Sequence, residues 1–449
     1  MNTRVLLLAL LFCLGGKTAL GQQNETTAPR RISLHDAVEL ALQHNHVIRI
    51  AKSAVDEKQS AKDVARSAYF PVVRNDSVFV HVTDTQFIEI PAGGLGVIGG
   101  DLIPARPLVV NQGGQTFESS GTGLIQPLTQ LWKIKAANDV TRAELNATRG
   151  KARGIENQIA LTVHQLYYKI LVAEVRHIAV QAKIDASDEL QSERVQQVKY
   201  GSALDADLIE SRAQSLQAKQ ELLSTELQLS DLRLQFNDVV GLPFTTPVTL
   251  DPNVAEAQDG CAKEECIKLA LESHPEIAEA RAVLDKAASA VRLAKYEYVP
   301  DVEAFARYSY QNNVPFLARN FGSFGVHLSF DLFDGGKKRA TLRERDAQLA
   351  QAKENLARIS DEVELRVQTA FNKLDRTRQM VTVSEELFAL RKESKRVSAE
   401  QLVNGSVLRS QAQAALAQEL EAKALLLQSQ LDYVQAADEM KQAIGKTPE

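Results

Sequence analysis

The sequence predicts an α+β membrane protein built as two copies of a helix–strand–loop–strand–helix–turn–helix unit. Three observations carry that prediction. From Leu128 to Gly241 the chain runs without a proline, and only Gly150, Gly154 and Gly201 precede the closing glycine. The same arrangement returns from Leu332 to Gly445. Ahead of each run lie short segments that alternate with a period of two, the signature of strands. A mean globular helix has about 11–12 residues, so each run reads as a very long helix, a tight turn and a returning helix. The turns fall at Tyr200-Gly201-Ser202 and Asn404-Gly405-Ser406.

Composition limits the function classes. A chain of 449 residues exceeds the size at which a single core stops growing. The long runs are rich in Ala, Leu, Gln, Glu, Lys and Arg, which is coiled-coil composition. The net charge of −5 argues against nucleic acid, which needs a basic patch. Residues 1–21 read as a secretory signal: Arg4 is the charged start, Val5 to Leu14 the apolar core, and Ala19-Leu20-Gly21 the cleavage site. No later stretch approaches the roughly 20 apolar residues of a spanning helix. The mature chain is therefore expected to be exported, and to be either soluble or inserted as a β-barrel. Bulky Phe12 ahead of Cys13 disfavours a lipidation site there. Cys261 and Cys266 would suit an oxidising compartment. On a regular helix, however, a separation of five points the two side chains apart.

In order, residues 22–241 form the first repeat. Ser33, with Asp36 three residues on, is a helix start, and the helix is expected to run to Ala68, before Pro71. Strands are expected at about 73–90 and 115–126, separated by a Gly/Pro-rich loop. The long hairpin then has its tip near 201. A linker, 242–260, carries Pro243, Pro247 and Pro252. Residues 261–446 form the second repeat, with a helix, strands at about 301–313 and 321–333, and a hairpin with its tip near 405.

The repeats align in two registers. At an offset of 229, Leu40, Ala41, Leu42, Tyr69 and Pro71 match Leu269, Ala270, Leu271, Tyr298 and Pro300. At an offset of 204, Gly121, Leu124, Val163, Gly201, Ser202, Leu204 and Gly241 match Gly325, Leu328, Val367, Gly405, Ser406, Leu408 and Gly445. The longer loop between the first two strands accounts for the difference. At 1.5 Å per residue a long helix spans about 105 Å, and two short helices end to end match it. Leu420, Ala424, Leu427, Leu431 and Val434 keep coiled-coil spacing, and the seam is expected to stop at Asp438.

In the second strand pair, Val302, Ala304, Ala306, Tyr308 and Tyr310 alternate with Asp301, Glu303, Phe305, Arg307 and Ser309. The return strand alternates Phe324, Val326, Leu328, Phe330 and Leu332 with Ser323, Gly325, His327, Ser329 and Asp331. One face is apolar and aromatic; the other is polar or small except at Phe305. That pattern suits a barrel hairpin between lipid and an aqueous lumen. Four strands cannot close a barrel, for which about eight are the minimum, so several chains would be required.

The segment Leu328-Ser-Phe-Asp-Leu-Phe-Asp-Gly-Gly-Lys-Lys-Arg-Ala340 resembles the strand-to-helix signature of the TolC-type outer membrane efflux proteins, the outer membrane factors. Gly121 to Ala136 is a weaker first copy. The Leu-Ala-Leu start at Leu269 to Pro275, the Tyr-x-Pro strand starts at Tyr69 and Tyr298, and the Gly-Ser tips also match. The resemblance implies a homotrimer with a twelve-stranded transmembrane β-barrel, four strands per chain, and a periplasmic α-barrel. It implies an outer-membrane channel-tunnel of a tripartite efflux or type I secretion system. That tunnel would be a passive conduit for drugs, metals or polypeptides, docked to a periplasmic adaptor and an inner-membrane transporter.

On the same resemblance, the adaptor-docking tips are Tyr200, Gly201, Ser202 and Leu204, and Asn404, Gly405, Ser406 and Leu408. The periplasmic gate candidates are Asp205, Asp207 and Glu210 in the first repeat, and Arg409 and Gln411 in the second. Arg409 is expected to pair with Asp205 or Asp207 across the hairpins. An exported coiled-coil structural or adaptor protein without a pore is the alternative. No catalytic, cofactor or metal site is expected. His44 and His46, two apart, do not share a helix face, and the glycines of 93–100 lack the ending of a phosphate loop.

Overall fold

A computed structural model describes residues 30–84, 87–111, 115–253, 261–314 and 318–447. The expected signal segment, Cys13 and residues 254–260 of the linker lie outside them. The chain opens with β1 (Arg30–Ile32), α1 (Leu34–His44) and α2 (His46–Ser67). Ser33 caps α1, its hydroxyl accepting from the Asp36 N–H at 3.2 Å. The single helix expected from Ser33 to Ala68 is thus two. Asn45 breaks it, standing in extended conformation with its Oδ1 accepting from the N–H groups of Val47 and Ile48. An Asn that can cap a new helix competes with continuation of the old one.

Next come β2 (Val72–His81), β3 (Phe87–Ile90), β4 (Gly96–Ile98), β5 (Asp101–Ile103), β6 (Leu108–Asn111) and β7 (Thr116–Pro127). The strand expected over 73–90 therefore stops at His81. Its partner β7 begins at Thr116, opposite His81, so backbone groups beyond that point must pair within the loop itself. They do so as a ribbon of β3 with β6 and β4 with β5.

The helices α3 (Leu131–Lys199, 69 residues) and α4 (Asp205–Val240) form the first long hairpin. β8 (Val248–Leu250) follows within the proline-bearing linker and pairs in parallel with β1. Beneath this pair the Tyr167 hydroxyl donates to the Asp251 carbonyl at 2.8 Å and accepts from the Asp251 N–H. Burial pushes that phenol up to about 12.

The second repeat contains α5 (Lys263–Ser273), α6 (Pro275–Tyr296), β9 (Asp301–Asn312), β10 (Asn320–Ser329), α7 (Lys337–Val403) and α8 (Arg409–Ala443). β10 stops short of the expected residue 333. There the Asp334 carboxylate accepts from the N–H groups of Gly336 and Lys338, both at 2.9 Å, and turns the chain into α7. Cys261 and Cys266 form a disulfide. The helical-spacing objection fails because Cys261 precedes α5, leaving the Cα atoms 5.6 Å apart.

Packing orders the helices side by side. α3 lies between α2 and α4 on one side and α6 and α8 on the other, and α7 packs on α5, α6 and α8. The short helices meet end to end at left-handed glycines. A Cβ on Gly241 (φ +78°) would lie 2.7 Å from that of His44, and one on Gly445 (φ +84°) would lie 2.8 Å from the His274 Cα. These positions combine a backbone that favours glycine with a close approach. Asp438, expected to end the apolar seam, is instead buried within it. Its Oδ2 accepts from Tyr168 at 2.9 Å and lies 2.6 Å from His164 Nδ1.

Candidate functional site at the hairpin tips and the sheet

Both tips are built alike. Gly201 (φ +73°) and Gly405 (φ +70°) take left-handed conformations. The Ser202 and Ser406 N–H groups each donate at 2.8 Å to the carbonyls of Gln197 and Gln401. These are helix-closing bonds that need a residue free to adopt positive φ. Tyr200 and Leu204 stand out at 78% and 72% exposure, with Leu408 at 48%. Apolar side chains at such exposure on a turn contribute nothing to the fold of this chain.

The polar residues beside the tips divide into three groups. Asp207 and Gln411 are helix caps: their side-chain oxygens accept from the Leu204 and Leu408 N–H groups, both at 3.1 Å. Asp205 and Glu210 are exposed on the first turns of α4. Arg409 does not reach Asp205 or Asp207 within the chain; its Nε lies 4.0 Å from Glu189 Oε1 on α3. The reason is the helix order, which places α3 between α4 and α8.

Two residues absent from the sequence-based set complete this contact. The Glu193 carboxylate accepts from the Ser410 N–H at 2.9 Å and from the Ser410 hydroxyl. An acidic group at a helix N-terminus satisfies orphan donors and complements the helix dipole. No sequence signal pairs residues 217 apart; only the packing of α8 on α3 brings them together. Above the tips, a groove of about 630 Å³ runs between α3, α4 and α8, bordered by Lys183, Glu221, Gln411 and Gln418. Lys183 donates to Glu221 at 2.8 Å and holds that carboxyl below its ordinary range.

At the opposite end, β10, β9, β7 and β2 form one antiparallel sheet in that order. Register assigns its faces. One carries Tyr308, Ala306, Ala304, Phe324, Val326, Leu328 and Leu124, together with polar Asn75, Ser77, His81, Glu118 and Thr122 of β2 and β7. The other carries Arg74, Asp76, Glu303, Arg307 and His327, with glycines and serines between. Phe305, the exception noted in the sequence, lies over Gly325, whose absent Cβ would be 3.1 Å from the ring. Val78 and Val80 fall on the charged face, opposite Ser119 and Phe117. Among the described residues both outer strands, β2 and β10, have a partner on one side only. Among the described residues no helix is long and apolar enough to cross a membrane.

Residues 266–446 match the family model described as outer membrane efflux protein. No curated protein sequence matches the chain. Among solved structures, a membrane protein from Pseudomonas aeruginosa superposes with a TM-score of 0.74 at 17% identity, covering 92% of this chain and 90% of that one. The CmeC outer membrane channel of Campylobacter jejuni gives 0.75 at 13% identity, covering 93% and 87%. The open state of the MtrE outer membrane channel of Neisseria gonorrhoeae gives 0.71 at 14%, covering 92% and 89%. By sequence over its second repeat and by fold over nearly its whole length, the chain is similar to the outer membrane efflux proteins.

Proposed function

We propose that this chain is one protomer of an outer-membrane export channel, a homotrimer with a twelve-stranded barrel and a periplasmic helical tunnel. The observation that carries the reading is the four-stranded sheet with two unpaired edges, whose β9 and β10 have one face apolar and aromatic and the other charged or small. An open sheet edge is not viable in lipid, and four strands are too few to close. Joining β10 of one copy to β2 of the next removes every edge. The helical layer has matching requirements. Ile209, Leu216 and Leu223 on α4 and Val383, Leu390 and Val397 on α7 form heptad rows at the two borders of the layer, and all are at least 36% exposed. Such rows are coiled-coil seams without a partner. A poreless coiled-coil protein would leave both edges and both seams uncovered.

In this reading the chain is a passive conduit rather than an enzyme. The two residue blocks 22–241 and 261–446 act as matched pairs of staves. The tips, with exposed Tyr200, Leu204 and Leu408, dock a periplasmic adaptor that connects to an inner-membrane transporter. Asp205, Glu210 and Arg409 line the narrowed end. The test is assembly: the full chain extracted from outer membranes in detergent is expected to run as a trimer that dissociates on boiling and conducts in planar bilayers. A monomer that is water-soluble without detergent would refute the reading.

A further inference from the structure

One feature of the sheet serves neither closure nor docking. Arg74, Gly123, Arg307 and Ser323 stand directly opposite one another across β2, β7, β9 and β10. This row places two arginines at one level of the charged face, separated by residues too small to cover them. Arg307 lies across Gly121, where a Cβ would stand 2.4 Å from its Nη2. Any larger residue at 121 would force the guanidinium away. The adjacent row toward the loop end is Asp76, Gly121, Ser309 and Phe321, with one charge. The adjacent row on the other side is Val72, Ile125, Phe305 and Gly325, with none.

The remaining acids of this face have partners. Asp301 is 2.5 Å from Lys133 Nζ, and Glu303 is 3.2 Å from His327 Nδ1. Among the described residues, Arg74, Arg307 and Asp76 have no side-chain ion pair or hydrogen bond. Each copy therefore presents two uncompensated cations and one anion at this level. In the channel reading this face lines the lumen, because the apolar and aromatic face of β9 and β10 must meet lipid.

We propose that Arg74 and Arg307 form a basic ring in the barrel lumen that favours anions, selecting carboxylate-, sulfonate- or phosphate-bearing cargo at the outer end of the channel. This rests on the channel reading above. Fixed charges around a pore with low-dielectric walls focus the field on passing ions, and Arg rings favour anions. The guanidinium fork also suits planar oxyanions. Asp76 works against the ring and sets its strength.

The test is the reversal potential of the full-length channel across a potassium chloride gradient. The readout is the permeability ratio of chloride to potassium. The Arg74→Gln/Arg307→Gln variant is expected to lose at least about twofold in that ratio, and Asp76→Asn to gain, because ring charge sets the lumen potential. A gain and a loss of opposite sign cannot both arise from misfolding. Boiling-sensitive trimers whose selectivity is unchanged in both variants would overturn the basic ring and leave the channel reading standing. A chain that forms neither trimers nor conductance would overturn both.

Discussion

The interface between α3 and α8 and its repeat equivalent, the faces of α7 and α4, differ in kind. Inside the chain, α3 grips α8 at two levels: Glu193 on Ser410 with Glu189 near Arg409 at the tip, and His164 with Tyr168 on Asp438 far above. At the offset of 204, the corresponding residues on α7 and α4 are Val397 with Ala206, Glu393 with Asp205, and Gln368 and Asn372 with Leu234. No buried charge faces another there; the faces carry exposed heptad rows instead. Duplication has thus produced one interface pinned by polar groups and one suited to apolar seams. A polar contact fixes register, because every buried donor must meet its acceptor. An apolar seam tolerates sliding and rotation. In the proposed trimer the copy-to-copy boundary is therefore where movement would cost least, and the second tip should stay attached to α3 of its own chain.

The largest expected effect comes from Asp438→Ala. It leaves the His164 ring and the Tyr168 hydroxyl buried without their acceptor, and His164 Nε2 already has no partner. Leaving a buried donor without its acceptor costs about 1–3 kcal/mol. Urea unfolding of the chain should show that loss. Leu234→Ala, at the equivalent place on α4, should leave the unfolding of a single chain nearly unchanged, since the residue is 45% exposed. It should instead lower the temperature at which trimers dissociate. Equal losses in both assays for both variants would remove the distinction.

What the sequence revealed follows from what repeats locally. The hairpins, the tips and the alternation of β9 and β10 were legible because helix period, strand period and turn glycines are short-range signals. Asn45 was harder: an Asn within a helical pattern does not announce that it caps a new helix until Val239 supplies a carbonyl for its amide, at 2.9 Å. Asp438 seemed to end the seam because its partners lie on another helix. The face assignment of Val78 and Val80 needed the register of β2 on β7, which alternation alone cannot supply. Within the chain Arg409 stands beside Glu189 and not beside Asp205 or Asp207, because the order of helices around α3 is a tertiary fact.

A smaller effect separates the tips. Glu193→Ala removes the acceptor for the Ser410 N–H and hydroxyl. Loss of a helix-capping acceptor costs about 1–2 kcal/mol, and open probability in bilayers should rise. The converse is a gain of attachment: Val397→Glu with Ala206→Ser copies the contact onto the α7–α4 boundary. If that boundary is the moving one, the doubly substituted channel should open less often than wild type. An unchanged open probability in both would show that neither contact restrains the tips.

The smallest effect concerns the α6–α7 contact beside the second end-to-end joint, where Arg366 of α7 pairs with Glu276 of α6 through both oxygens. The first-repeat counterparts are Val47 and Thr162, so only the second joint is ionic. Hydrogen bonding from Arg366 holds the Glu276 carboxyl below its ordinary 4.5. A depressed carboxyl stabilises the fold above its unfolded value, and the contribution is lost as pH falls through the folded one. The pair is partly exposed, which limits it to about 1 kcal/mol or less. Nearby Glu279 has the opposite sign: burial raises its carboxyl, so its charge opposes folding at neutral pH. Glu276→Gln should flatten the fall in thermal stability on acidification below about pH 5, whereas Glu279→Gln should raise stability slightly at pH 7. Both should leave the first joint, and hence the assembly of α2 with α4, unaffected. A matching shift in hydrogen exchange at Asn45 would mean that the two joints are coupled through α3 and cannot be treated as independent.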